Sequence, residues 1–315
     1  MSVSIVPPGS LVYGIQLQVQ AKSKTFAEEW ELDAGAEALR AIVEKADETG
    51  FFYVAVCDHL AVTRPMDEHM RTTWYDTVAT LGWIAALTRN VRLLSHVYIM
   101  SYRHPIQTAK SFMTLDELSG GRVILGVGAG HLQGEFELLE VDFHQRGKVT
   151  DAAIDVIRAA FADEYPDVET PFWGHVHDGG LAPRPRQREI PIWVGGSSAG
   201  ALRRAAARGD GWLPQGTPRT ELPGQIAALI EHRKRARGDD PIDIGANTEF
   251  LYVGDPTWDV GSHTLAGRPD WLAARLREFG AMGVNHLQVR FRNRSLAELL
   301  DQMDAFATGV APLLS

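Results

Sequence analysis

A histidine that follows an acidic residue is the first feature of this sequence that could do acid–base chemistry. Asp58 and His59 come at the end of the apolar run 51–57, FFYVAVC, which is typical of a buried strand. An imidazole beside a carboxylate can give or accept a proton near neutral pH. We therefore predict that His59 is a catalytic acid or base with Asp58 as its neighbour. The alternative is that His59 only satisfies a local backbone group.

A polar pair interrupts a second apolar run. Ser95 and His96 come near the end of the run 91–97, VRLLSHV, and Val97 closes it. Polar side chains at the end of a buried strand either contact a ligand or bond to their neighbours at the rim of the sheet. The residues Ser95, His96 and Val97 by themselves leave both interpretations open.

Glycines follow a third apolar run. The segment 126–130, GVGAG, is followed by His131 and Leu132. Glycine has no Cβ, so the backbone amides near Gly128, Ala129 and Gly130 can approach an anion or a flat ring. The G-x-G-x-x-G dinucleotide fingerprint is not matched here. We predict that this cluster, with His131, contributes to a binding site.

A second glycine turn leads directly from a strand into a helix. Gly195, Gly196, Ser197 and Ser198 stand at what would be the N-terminus of that helix. Free amides and the helix dipole favour a phosphate at this position. A serine there is also a common N-cap. Both interpretations can hold, because a capped N-terminus and an anion site are the same place.

The elements that must position these residues alternate along the whole chain. Apolar, β-rich runs are each followed by a helix-like segment, and buried alternating units predict a parallel sheet of the α/β class. Eight such units favour a (β/α)8 TIM barrel, whereas the alternative is a doubly wound sheet with two open edges. We predict one barrel domain over 1–315, with the candidate residues at its C-terminal mouth. The eight strand candidates are 11–17, 51–57, 91–97, 122–127, 190–194, 211–213, 242–253 and 286–291.

The alternation lapses over about 164–190, where prolines and glycines are concentrated. This stretch is too long for an ordinary barrel loop, so it predicts an insertion between the fourth and fifth strands. His175 and His177 lie in it, but no third ligand is in register with them. We therefore predict no metal site.

The amino-acid composition of the chain argues against some classes of binding partner. The chain has 31 Lys and Arg against 40 Asp and Glu, a net charge of −9, which argues against nucleic acid and anionic membranes. Cys57 is the only cysteine, which excludes an intrachain disulfide and indicates a reducing compartment. Neither a G-x-S-x-G elbow nor a Walker A loop occurs. We expect a cytoplasmic protein that acts on a small organic molecule.

Six motifs, in this order and spacing, resemble the luciferase-like monooxygenase superfamily and, within it, the coenzyme F420-dependent oxidoreductases. The resemblance extends over nearly the whole chain. It implies a barrel with an insertion and, we expect, a homodimer. The motifs are 102–105 (YRHP), 114–122 (TLDELSGGR), 126–130 (GVGAG), 135–147 (EFELLEVDFHQRG), 191–196 (PIWVGG) and 210–213 (DGWL).

The resemblance also implies a cofactor and its place. A deazaflavin (F420) or a flavin (FMN) would lie in the C-terminal mouth with its ring against the third strand. The family often carries a non-proline cis peptide there, which would involve Ser95, His96 and Val97. The cofactor phosphate would meet the turn 195–198, with Ala129 and Gly130 alongside.

The implied activity is hydride transfer between F420 and a carbonyl, alcohol or enone substrate. His59 would act as acid or base, with His96 or His131 as a second polar contact. Sugar-phosphate dehydrogenases of this branch have an aromatic residue where this chain has Thr63, and a glutamate in place of His131, so a sugar phosphate is not predicted. Two alternatives remain: an FMN-dependent monooxygenase, and a non-catalytic protein that binds F420 or a flavin.

Overall fold

The strands of the protein form a closed parallel barrel. A computed structural model describes residues 4–24 and 26–314. In it, β7 pairs with both β6 and β8, and β8 pairs with β1, so the ring has no open edge. The predicted TIM barrel is confirmed and the doubly wound alternative is wrong. The barrel strands are β1 (Val12–Gln16), β2 (Tyr53–Val56), β3 (Arg92–Ser95), β4 (Val123–Gly128), β5 (Ile192–Gly195), β6 (Gly211–Leu213), β7 (Asp243–Val253) and β8 (His286–Phe291).

A helix follows each strand and covers the outside of the ring. Side-chain caps set several of the helix starts, because the first amides of a helix have no partner within it. Asp76, for example, accepts the Ala79 amide and so caps the helix that begins at Thr77. The helices are α1 (Ala36–Glu48), α2 (Thr77–Leu87), α3 (Pro105–Ser119), α4 (Arg146–Ala162), α5 (Ala199–Arg208), α6 (Leu222–Arg237), α7 (Pro269–Ala281) and α8 (Leu296–Ala305).

The predicted insertion lies between α4 and β5. It contains an antiparallel hairpin, Val168–Thr170 with Gly174–Val176. Arg184 ties its far end to α4 by donating to the carbonyl oxygens of Ala160 and Phe161 at 2.8 and 2.6 Å. Among the helices in the described ranges, none is long and apolar enough to cross a membrane.

Three rings fill the interior of the barrel below the mouth. Trp193 and His286 stack with ring centroids 4.1 Å apart, and Tyr53 meets both edge-on. Glycines on neighbouring strands leave room for them: a Cβ on Gly14 would overlap the Tyr53 ring, and one on Gly245 would overlap His286. These rings close-pack the interior below the C-terminal mouth of the barrel.

Adding one methyl group at Gly14 tests this packing. Gly14→Ala forces a Cβ into the Tyr53 ring, so we expect the free energy of unfolding to fall by about 1–3 kcal/mol. Urea denaturation measures the change. Gly82→Ala is the control, because a Cβ there meets open space within α2. It should leave stability unchanged or raise it by up to about 1 kcal/mol. Equal effects of the two substitutions would contradict this account of the interior.

Burial also makes His286 sensitive to acid. Removal from water disfavours the imidazolium and lowers the pKa of His286 to about 3. A histidine in the unfolded chain titrates near pH 6.5, so the unfolded state binds more protons between these values. Stability contributed by neutral His286 is therefore complete above about pH 6.5 and is lost as the pH falls.

We expect His286 to account for about 2 kcal/mol of the stability lost between pH 7 and pH 5. His286→Phe keeps a flat ring against Trp193 and removes the titrating group. Urea denaturation at several pH values should show a shallower decline for this variant than for the wild type. Parallel pH profiles would show that His286 does not carry the effect.

Candidate functional site

A cavity of about 670 Å³ opens at the C-terminal mouth of the barrel. Its walls come from the ends of β1 to β4 and of β6 to β8, which meet there because all eight strands run in parallel. Of the residues singled out in the sequence, the cavity wall includes Asp58, His59, His96, Val97, Gly130 and His131.

The carboxylate of Glu135 holds His59 in place. His59 Nδ1 lies 2.9 Å from Glu135 Oε2, and the Tyr102 hydroxyl donates to the same oxygen at 2.9 Å. Glu135 Oε1 accepts the amides of Leu60 and Ala61 at 2.5 and 3.0 Å. This buried carboxylate therefore fixes both the ring of His59 and the loop that follows it. Nε2 is the His59 nitrogen that remains for a ligand.

Glu135 is ionised despite its burial. Desolvation alone would raise its pKa, but the hydrogen bond with His59 and those from the backbone and Tyr102 outweigh it, and the pKa is lowered. An ionised carboxylate can only accept, so Nδ1 of His59 carries a proton and donates it to Glu135 Oε2. The arrangement suits an acid–base role.

Asp58 has a different role from the one predicted. Arg103 donates to both of its oxygens, at 2.6 and 2.8 Å, and the Ile99 amide donates to Oδ2 at 2.8 Å. Its charge thus anchors the loop after β3. Successive side chains of an extended segment point to opposite sides, which separates Asp58 from the His59 ring. The carboxylate that contacts His59 is Glu135.

Aromatic rings surround His59 on its cavity side. The indole of Trp74 meets it edge-on with centroids 4.4 Å apart, and the ring of His131 lies 5.8 Å away. Desolvation lowers the pKa of His131, and the nearby His59 lowers it further. His131 is therefore a neutral group on this wall at pH 7.

His96 also lines the cavity and uses both ring nitrogens within the protein. Nε2 lies 3.1 Å from the Leu213 carbonyl, and Nδ1 lies 3.2 Å from the amide nitrogen of Gln288. Burial lowers the pKa of His96 to about 4, so the ring is neutral at pH 7. The peptide bond between His96 and Val97 is cis, at the place where the resemblance implied one.

Three of the predicted ligand contacts instead shape the floor beneath Val97. A Cβ on Gly128 or on Gly195 would overlap its methyl groups. The Ser95 hydroxyl donates to the Gly126 carbonyl at 2.9 Å and accepts the Gly126 amide at 3.0 Å. Ser95, Gly128 and Gly195 do not border the cavity, and neither does Ala129. The two glycines leave room for the side chain of Val97, and the Ser95 hydroxyl is used in bonds to Gly126.

The turn after β5 also lies outside the cavity wall. The Gly196 carbonyl accepts the Trp212 indole N–H at 2.8 Å. The Ser198 hydroxyl accepts the Ala201 amide at 3.2 Å and so caps α5, which is the N-cap alternative stated above. Ser197 is partly exposed. The other backbone amides in the first turn of α5 are not bonded within the helix, as at any helix N-terminus.

The sequence interpretation missed the polar wall that β1 and β8 provide. Gln16, Gln18 and Gln20 alternate along 15–20, IQLQVQ, and this period-2 pattern at the end of a strand was the available signal. Buried acceptor atoms of Gln18 and Gln20, and Oε1 of Gln288, have no hydrogen-bond partner within the described parts of the chain. Unpaired buried acceptors suit a ligand that donates hydrogen bonds.

Replacing the Glu135 carboxylate by an amide tests its role in the wall. Glu135→Gln puts an amide donor where Tyr102 already donates. We therefore expect the free energy of unfolding to fall by about 1–3 kcal/mol. Glu137→Gln, at an exposed position of the same short helix, is the control and should change stability by less than about 0.5 kcal/mol. Urea denaturation at pH 7 distinguishes the two. Similar small losses would show that Glu135 does not organise the loop.

The chain is similar in sequence to a known family and to several of its members. Residues 13–260 match the model of a family described as luciferase-like monooxygenase. The 4-hydroxyprotoasukamycin monooxygenase of Streptomyces nodosus subsp. asukaensis is 33% identical over 255 residues, which cover 77% of this chain and 68% of that protein. The F420-dependent glucose-6-phosphate dehydrogenase of Kineococcus radiotolerans is 30% identical, with 65% and 66% covered.

Two further similarities complete the comparison. An uncharacterised protein of Mycobacterium tuberculosis is 34% identical over 169 residues, and the match spans 58% of its length and 54% of this chain. The crystal structure of the monooxygenase RslO1 from Streptomyces bottropensis shares the fold, with a TM-score of 0.79 at 22% identity and 97% and 100% of the two chains covered. The chain belongs to the luciferase-like monooxygenase family.

Proposed function

We propose that the protein is an F420-dependent oxidoreductase that transfers a hydride between the deazaflavin and a carbonyl, alcohol or enone substrate. The observation that carries this proposal is the pair of His59 and ionised Glu135 in the wall of the cavity. A carbonyl that receives a hydride becomes an alkoxide and needs a proton, which a positioned imidazole can give. The similarity to an F420-dependent dehydrogenase supports the same choice.

The residues around the cavity fit a flavin-like ring. The floor at His96 and Val97 is flat and neutral, and the unpaired acceptors of Gln18, Gln20 and Gln288 suit ring N–H and ribityl hydroxyl donors. The phosphate would meet the turn 195–198, with the backbone of Ala129 and Gly130 alongside. When bound, the deazaflavin supplies or takes up the hydride.

In the proposed reaction, residues of this chain donate and accept the proton that accompanies the hydride. In reduction, His59 Nε2 donates a proton to the substrate oxygen as the hydride reaches its carbon, and it takes the proton back in oxidation. Glu135 keeps the ring oriented and stabilises its charged form. Trp74 packs against the ring and limits its rotation.

A second candidate function is FMN-dependent monooxygenation. The match to 4-hydroxyprotoasukamycin monooxygenase favours it, since that relative covers 77% of this chain. Both cofactors present a flat ring and a phosphate, so the same cavity suits either one. A deazaflavin does not readily form an oxygen adduct, and the cofactor therefore decides the reaction class. A non-catalytic cofactor-binding protein is the third possibility.

Fluorescence titration with F420 and with FMN separates these candidates. We expect F420 to bind at least about tenfold more tightly than FMN, which corresponds to about 1.4 kcal/mol. Binding of FMN alone would overturn the proposal in favour of the monooxygenase. Tight F420 binding without turnover on a panel of carbonyls, alcohols and enones would favour the non-catalytic protein.

The acid–base role of His59 predicts a specific kinetic loss. His59→Ala should lower kcat about 10²–10⁴-fold on a substrate found in that panel, with the F420 dissociation constant nearly unchanged. His69→Ala is the control, because His69 is exposed and does not line the cavity. Full turnover by the His59 variant would remove the acid–base assignment.

A further inference from the structure

One cation in the cavity has no counter-charge. Arg290, on β8, lines the cavity, and its guanidinium carbon lies over the rings of Phe26 and Phe250, 4.5 and 5.4 Å from their centroids. Its side chain makes neither a hydrogen bond nor an ion pair with any residue in the described ranges. Burial lowers the pKa of Arg290, which reflects the cost of keeping its charge away from water.

The neighbouring arginines show how unusual this is. Arg292 donates to Glu28 at 2.9 Å, and Arg294 pairs with Glu298 at 3.0 Å. Arg103, on the loop after β3, is paired with Asp58. Buried charges are normally paired, because leaving one unpaired costs several kcal/mol. The guanidinium of Arg290 faces the cavity without such a partner among the described residues and is therefore available to a ligand.

Among the described residues of the cavity wall, no acidic group pairs with the Arg290 side chain. Asp58 is paired with Arg103, and Glu249 lies 3.3 Å from Arg219. Glu31 attracts Arg290 electrostatically, but its carboxyl oxygens accept the amides of Glu28 and Val19 at 3.0 and 3.2 Å. Desolvation raises the pKa of Glu31 to about 7, so much of it is neutral. Desolvation likewise raises the pKa of the Cys57 thiol to about 11 and keeps it protonated. A counter-charge for Arg290 has to arrive with a ligand.

The position of Arg290 separates it from the expected cofactor phosphate. In a closed ring of eight strands, β8 lies opposite β4 and three strands from β5, and those two strands lead to the phosphate turns. By contrast, β8 and β2 both flank β1, so Arg290 and His59 line neighbouring parts of one cavity. A small substrate can reach both of them.

We propose that Arg290 binds the carboxylate of the substrate and that the protein acts on organic acids that carry a carbonyl or hydroxyl group elsewhere. The planar guanidinium donates two parallel hydrogen bonds to a carboxylate, and a lysine could not reproduce that geometry. The rings of Phe26 and Phe250 hold the guanidinium by cation–π contacts and so orient it for this pair. That the bound acid is a substrate rests on the proposed function. That Arg290 binds a carboxylate does not.

Binding of simple probes to the cofactor-free protein tests the proposal. Benzoate and benzamide have the same shape and differ in charge, and isothermal titration calorimetry gives both dissociation constants. We expect the wild type to bind benzoate at least about tenfold more tightly than benzamide. Arg290→Gln should abolish this preference. Arg294→Gln, which removes the same charge from an exposed position, should retain it.

A second variant covers the case in which Arg290→Gln does not fold. Arg290→Lys keeps the charge and should retain a weaker preference for benzoate; it replaces the glutamine variant if circular dichroism shows that variant to be unfolded. Equal binding of the two probes by the wild type, or an unchanged preference in Arg290→Gln, would overturn the proposal.

The titration is then repeated with saturating F420 or FMN. Benzoate that still binds supports a substrate subsite, whereas competition with the cofactor would show that Arg290 serves the cofactor's anion. If neither cofactor binds, the proposed function fails, yet the probe preference of the cofactor-free protein still decides whether Arg290 is a carboxylate site.

Discussion

The candidate site depends on one buried carboxylate. Glu135 joins the loop after β2, through His59 and the amides of Leu60 and Ala61, to the segment after β3, through Tyr102. Its four hydrogen bonds replace the water that an ionised group loses on burial. Because one carboxylate holds both loops, the orientation of His59 is part of the packing of the mouth and not a property of the loop alone.

A steric constraint organises the rest of the mouth. The barrel interior is filled from below by Tyr53, Trp193 and His286, and the cavity opens at the carboxyl ends of the strands. There, glycines at the ends of β4 and β5 admit Val97, and Val97 with His96 forms the floor. The glycines therefore act on a ligand indirectly, through the shape of the surface that receives it.

Charge is distributed unevenly around this cavity. The chain as a whole is acidic, with a net charge of −9, yet the groups facing the open volume are mainly neutral amides and imidazoles. Among the described residues of the wall, Asp58, Glu249 and Arg219 are charged and paired with other side chains, whereas the guanidinium of Arg290 has no such partner. An acidic protein can thus receive an anion, because a local unpaired cation in a cavity of low polarity outweighs distant surface charges.

The sequence by itself determined the barrel, the order of its eight units, the position of the insertion and the place of His59, because hydrophobic periodicity and turn residues are local signals. It could not show that Glu135, 76 residues away, is the carboxylate on His59, or that Asp58 is paired with Arg103. Nor could it show that Gly128 and Gly195 make room for Val97, or that Arg290 lacks a partner. Those facts depend on which side chains the closed ring brings together, and only the tertiary structure decided them.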